Sequence, residues 1–221
     1  MARAKVAVTP KPKEVLVSAL ASFTDKVHAC LAANDCPHSC ADSVAVHLRE
    51  LLKRPDFLAE RYRRSADNEP KANLVYVSPQ GAFSVVAFVW QAGQRTCIHD
   101  HVCWCVVGVL EGAEEETSFA LKQNEAGERW LEPRYTQRVK PGHVCKLVPP
   151  DEDIHQVKNV GKNTAISIHV YGTDIGKRGT SINRRFSDLP VYSANVYSAK
   201  PGSPVKWREE GVGEDVGASL G

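Results

Sequence analysis

A jelly-roll type β-barrel behind an N-terminal helical cap is the fold class the sequence predicts. Three observations lead there. Apolar residues recur at three- and four-residue steps through the first part of the chain. From Asn73 to Tyr171 short β-rich runs alternate with Gly, Pro and Asn turn signals. No helical run of about ten residues or more interrupts those strands, which argues against parallel βαβ units and for an antiparallel sandwich or small barrel.

Leu16, Leu20, Phe23, Val27, Cys30 and Leu31 fall on one face of a helix spanning Pro12 to about Asn34. Val44, Leu48, Leu51 and Leu52 predict a second helix after a cap at Asp42, and Pro55-Asp56 opens a shorter segment reaching about Arg64. Ser65 to Lys71 is polar, carries a proline and reads as a linker. The strands then predicted are Asn73–Val77, Phe83–Trp90, one long strand over Thr96–Leu110, Thr117–Leu121, Arg134–Val139, Val144–Val148, Gln156–Val160 and Thr164–Tyr171. Gly172 to Arg185 is polar, Val191–Ser198 is a candidate edge strand, and Lys200 to Gly221 has little to bury. The expected organisation is a helical cap over 1–70, a barrel with its C-terminal strands over 71–199 and a flexible tail over 200–221.

The 221 residues carry 28 Lys and Arg against 26 Asp and Glu, a formal charge of +2 that offers no field for nucleic acid. No apolar run approaches the roughly 20 residues that span a bilayer, and no signal-like segment opens the chain. A cytoplasmic protein without membrane or nucleic-acid partners is expected. Seven cysteines are too sparse for a disulfide scaffold, so metal binding or catalysis is their better use.

His99 and His101 lie two apart in a predicted strand, so their imidazoles project from one face. His155 follows the turn Pro149-Pro150-Asp151, in a segment able to return beside them. Three neutral nitrogens on one face would leave metal positions open, and imidazole suits iron, copper, nickel and zinc alike. Cys103 and Cys105 share the parity of the histidines if the strand is continuous. In the strand ending at Tyr171, Ser167, His169 and Tyr171 alternate with the apolar Ile168 and Val170. A polar row facing a barrel interior must be mutually hydrogen-bonded.

Gly93-Gln-Arg-Thr-Cys-Ile-His99-Asp-His101, then Cys105 and Gly112, resembles the first cupin motif with cysteine where that motif has glutamate. Gly142 to Asn159, containing His155, is similar to the second. With the Ser-x-His-x-Tyr row, the pattern resembles the cysteine dioxygenase family of cupin thiol dioxygenases, over roughly Asn73 to Gly172. The resemblance implies Fe(II) held by His99, His101 and His155, with Ser167, His169 and Tyr171 beside it. It also implies a possible thioether between Cys105 and Tyr171. Its partners would be a small thiol, cysteine or a mercapto-acid, and O2, which together yield a sulfinate; the chain would be a monomer.

The sequence departs from that pattern at Ala72, which aligns where cysteine-specific members carry an arginine for the substrate carboxylate. Lys71, Arg95, Lys177 and Arg178 are the candidates to replace it. Cys103 is either an extra thiol in the cavity or a packing residue. His28, Cys30, Cys36, His38 and Cys40 have zinc-ligand types without a clean Cys-x2-Cys pair. Two alternatives stand beside the dioxygenase: a related tailoring enzyme with another sulfur substrate or product, and a non-catalytic metal-binding cupin.

Overall fold

The computed structural model describes residues 12–65, 70–150 and 153–192. Helices α1 (Pro12–Ala33) and α2 (Pro37–Leu52) come first, followed by two single 3-10 turns at Pro55–Phe57 and Glu60–Tyr62. The apolar spacing has its expected outcome: Phe23, Val27 and Cys30 of α1 and Val44, Leu48, Leu51 and Leu52 of α2 are buried. The start of α2 differs from expectation. It begins five residues before Asp42, at Pro37, whose fixed φ suits the first helical position. Asp42 lies inside the helix, where its carboxylate meets Lys146.

Ten strands follow: β1 (Lys71–Val77), β2 (Ser84–Trp90), β3 (His99–His101), β4 (Cys105–Glu111), β5 (Glu114–Gln123), β6 (Arg129–Val139), β7 (Val144–Leu147), β8 (His155–Asn159), β9 (Ala165–Tyr171) and β10 (Ile182–Arg185), with a four-residue helix α3 (Ile175–Arg178) before the last. They form two five-stranded sheets in the orders β1-β2-β9-β4-β7 and β10-β3-β8-β5-β6. The strand pairs among the described residues are antiparallel, and apart from the β1–β2 and β5–β6 pairs successive strands alternate between the two sheets, as in a double-stranded β-helix. The chain is mainly β, a cupin barrel with helices at its N-terminal side.

The first sheet is covered on both faces, which is why β2 is buried throughout and reads as an unbroken apolar run. Val85, Ala87 and Val89 of β2 and Ile166, Ile168 and Val170 of β9 join the cluster that holds α1 and α2. Val86, Phe88 and Trp90 of β2 and Tyr171 of β9 turn the other way, into the barrel. Gly108 permits the close approach of α2: a Cβ there would stand 2.7 Å from Leu52 Cδ1 and 3.0 Å from Leu48 Cδ2. Truncating the fully buried Leu48 to alanine would cost about 2–5 kcal/mol, the usual range for a core leucine. Gly112, the glycine of the first motif, has φ 79° and would press a Cβ to 2.7 Å from Ala165, so side chains are excluded there on both grounds.

The predicted long strand over Thr96–Leu110 is two strands in different sheets. A turn over residues 102–104 separates β3 from β4, and shared parity between His99, His101, Cys103 and Cys105 is therefore lost. The polar stretch 172–185 contains α3 and β10, which pair alternation did not reveal. β10 closes on β3 because Arg184 grips Asp100, with Nε and Oδ2 2.6 Å apart. Val191 makes an isolated parallel bridge with Leu131. Residues 193–198 of the predicted edge strand and the predicted tail lie outside the described residues. Among the described residues no helix is long and apolar enough to cross a membrane.

Candidate metal centre and its cavity

His99 and His101 are the ends of β3, and the antiparallel register sets His99 directly opposite His155 of β8. The three rings are mutually close, with centroid separations of 4.8–4.9 Å. One ligand-capable nitrogen from each lies within 4.8 Å of the others, and all three side chains are buried.

Hydrogen bonds at the back of the His99 and His155 rings decide which of their nitrogens faces inward. His99 Nδ1 is 3.0 Å from the carbonyl of Cys97, and His155 Nδ1 is 2.9 Å from Glu116 Oε1. Both partners are acceptors here, so both Nδ1 atoms carry the hydrogen and both Nε2 lone pairs are left for the cavity. His101 is fixed through its backbone N–H, which donates to Asp153 Oδ2 at 2.7 Å, while its Nδ1 stands 3.5 Å from the same oxygen, too far for a hydrogen bond. Burial, followed by the neighbouring rings, holds the pKa of His99 well below the ordinary imidazole value; burial also lowers that of His101. Neutral imidazoles with free lone pairs are the donor set a divalent transition metal requires, so the residues fit such an ion.

Beside this triad, β9 presents Ser167, His169 and Tyr171 to the barrel interior, as their alternation predicts. Ser167 Oγ is 3.0 Å from His169 Nε2, and the Tyr171 hydroxyl is 3.2 Å from His169 Nδ1. Trp90 Nε1 donates to Ser167 Oγ at 3.0 Å. Burial drives the pKa of His169 well below and that of Tyr171 well above the ordinary values, so both are neutral near pH 7. One cavity contains all three histidines of the triad, His169 and Tyr171, walled by Ala72, Phe88, Trp90 and Ile175.

A sequence model of the cysteine dioxygenase type I family matches residues 56–177, more than half of the chain. The chain belongs to the cysteine dioxygenase type I family. That match spans every residue of the triad and of the Ser-His-Tyr row. Solved structures similar in part include an uncharacterised protein with a double-stranded β-helix domain from Klebsiella pneumoniae, 20% identical over 52% of this chain and 86% of its own, with a TM-score of 0.39. Another is a Cupin 2 conserved barrel domain protein from Salinispora arenicola, 20% identical over 52% of this chain and 84% of its own, with a TM-score of 0.37. The fold assignment rests on strand order and the family match, not on these partial likenesses.

Cys105 opens β4 as the cross-strand partner of Tyr171 and is fully buried, its Sγ 3.9 Å from His169 Nδ1. Burial raises the thiol pKa well above its usual value. Cys103 sits in the turn before β4, absent from the cavity lining, and burial pushes its pKa up to about 11. The His28–Cys40 cluster does not converge: His28 Nε2 is 3.3 Å from the Tyr76 hydroxyl and Cys40 Sγ donates to the Asn34 carbonyl. Among the described residues the only His/Cys/Asp/Glu group that converges on a metal-sized space is the triad.

Sequence reasoning missed Glu114, Glu116, Asp153 and Asp100, all buried carboxylates around the site. Glu116 carries the usual burial penalty, yet hydrogen bonds from His155 and Gln137 hold its pKa below the ordinary carboxylate value. Their signal was present in β5, where Glu114, Glu116 and Ser118 alternate with Glu115 and Thr117. Five consecutive polar residues conceal which face is inward.

Proposed function

We propose that this protein is a non-haem Fe(II) thiol dioxygenase that uses O2 to convert the sulfur of a small carboxylate-bearing thiol, cysteine or a mercapto-acid, to a sulfinate. The observation carrying this reading is the convergence of three imidazoles beside a hydrogen-bonded Ser-His-Tyr row in one cavity, within a chain of the cysteine dioxygenase type I family. His99, His101 and His155 would hold the iron. Three uncharged ligands would leave the ion its full positive charge, which favours a bound thiolate and supplies the redox chemistry with O2.

The protein's own residues bind, orient and exclude water. Phe88, Trp90, Ala72 and Ile175 make much of the cavity wall apolar and raise the strength of any polar contact inside it. Tyr171, held by His169, places a phenol hydroxyl where it can hydrogen-bond a bound ligand's polar atoms. Its pairing with Cys105 across β4 and β9 supports a thioether between the two in the active enzyme.

Ala72 contributes only a methyl group to the wall, so the carboxylate needs another cation. Of Lys71, Arg95, Lys177 and Arg178, only Arg95 lines the cavity, exposed at its edge. Arg95 is the group we assign to the substrate carboxylate.

The test is anaerobic loading with Fe(II), followed by a panel of thiols with and without carboxylates, reading oxygen uptake and product mass together. The proposal expects two oxygen atoms gained per carboxylate-bearing thiol and a weakened KM in Arg95→Ala. A product of different mass would support the tailoring alternative. Iron-loaded protein that consumes no oxygen with any thiol would leave a metal-binding cupin.

A further inference from the structure

The strand that carries two of the three triad histidines, β3, is only three residues long, so its position is set by what flanks it. On one side β8 meets it at a single pair, His99 opposite His155. On the other side β10 pairs with both its ends, Ile182 opposite His101 and Arg185 opposite His99. Two backbone hydrogen bonds bracket the strand there: Val102 N–H donates to the Ser181 carbonyl and Phe186 N–H to that of Ile98, each at 3.0 Å.

Between the brackets lies an ion pair. Strand alternation turns Asp100 away from the face shared by His99 and His101, and Asp100 is absent from the cavity lining. Its side chain is 2% exposed, and a carboxylate so buried is tolerated only when it is paired. Arg184 is the partner it has among the described residues. The arginine's backbone N–H donates to Oδ1 and its Nε to Oδ2, both at 2.6 Å, with a second guanidinium nitrogen 2.6 Å from Oδ2. The guanidinium also lies over the Phe186 ring, 5.3 Å from its centroid, which limits its freedom to leave.

The same segment reaches the inside of the site. Thr180, Ser181 and Ile182, just before and at the start of β10, line the cavity that contains the triad. The family match ends at residue 177, so neither this wall nor Arg184 belongs to the matched region.

We propose that Arg184 is a positioning residue for the metal centre: through Asp100 it locks β10 onto β3, which holds His99 and His101 in place for a shared ion and fixes Thr180, Ser181 and Ile182 as a wall beside it. The inference rests on the reading of the triad as a metal site. An ion pair of purely structural role contributes to global stability alone. A positioning pair also sets metal affinity, because without it the bound ion must supply the order that the pair provides beforehand.

The experiment compares Arg184→Ala with Arg185→Ala, which removes an exposed side chain from the same strand. In Arg184→Ala the backbone N–H at position 184 still serves Asp100, so the buried carboxylate keeps one partner. Cobalt(II) is the probe. Chelator competition should show it bound about 10-fold more weakly, or worse, by Arg184→Ala and unchanged by Arg185→Ala. In the metal-free proteins, the Val102 and Phe186 amides should exchange hydrogen faster in Arg184→Ala and at the wild-type rate in Arg185→Ala. Should Arg184→Ala fail to fold, Arg184→Gln, which loses the charge and keeps one donor group, takes its place under the same criteria. A folded variant at position 184 that binds cobalt as tightly as the wild type, or whose two amides exchange as in the wild type, overturns the positioning role. A wild type that binds no cobalt overturns the metal reading beneath it, so the two failures are distinguishable.

Discussion

Glu116 Oε1 accepts a hydrogen bond from Nδ1 of His155 at 2.9 Å, with both side chains no more than 4% exposed. This contact holds the ring so that its other nitrogen faces His99 and His101, and it places a negative charge behind a metal-facing imidazole. Carboxylates in that position raise ligand basicity and commonly contribute about 10–100-fold to metal affinity. Glu116→Gln, which keeps the shape and loses the charge, should weaken divalent metal binding by about that factor in a chelator competition. Unchanged affinity would remove Glu116 from the support of the site.

Glu114 makes stability depend on pH in a defined direction. Its pKa is raised from 4.5 to about 7 by burial, so the folded state binds the proton more tightly than the unfolded state. Stability is favoured below the unfolded value and is lost as pH rises from about 4.5 to about 7; that shift corresponds to about 3 kcal/mol at 1.36 kcal/mol per unit. Glu114→Gln removes the penalty. Urea midpoints should show the variant gaining on the wild type as pH rises and levelling off above neutrality; a difference independent of pH would contradict the assigned ionisation.

The overall class and the triad were legible because they rest on periodicity and spacing. Ser167, His169 and Tyr171 alternate with Ile168 and Val170, and a strand leaves no other way to dispose of them. The apolar side chains indeed pack toward α1 and α2 while the polar ones enter the barrel. The division between β3 and β4 was not legible, because Val102, Cys103 and Trp104 are residues a strand accepts. The turn is imposed by tertiary contacts, with Gly172 N–H donating to the Trp104 carbonyl and Val102 N–H to that of Ser181. The carboxylates Glu114 and Glu116 were hidden for a different reason: an acidic run ordinarily marks solvent, and the hydrogen bonds from His155 and Gln137 that make the burial of Glu116 tolerable come from distant strands.

Cys105 and Tyr171 face each other across β4 and β9. If they join during turnover, intact mass should fall by two hydrogens after exposure of iron-loaded protein to thiol and O2, with no such change in Cys105→Ser. A wild-type mass that never changes would mean that the two side chains work unlinked.

Gly172 lies against the indole of Trp104, where an added Cβ would overlap the ring at its Nε1 edge. Gly172→Ala should displace Trp104 and lower stability by about 1–3 kcal/mol, the usual cost of overpacking. The shift would be visible in tryptophan fluorescence and in the midpoint of denaturation. An alanine variant as stable as the wild type would show that the turn before β4 yields freely.

Anaerobic titration with Fe(II), read as ions retained per chain in native mass spectra, tests the proposed centre most directly. One ion per chain in the wild type and almost none in His155→Ala, with that variant still folded, is the predicted result. A folded wild type that retains no ion, or a His155→Ala variant that retains a full one, would contradict the assignment of His99, His101 and His155 as a single metal site.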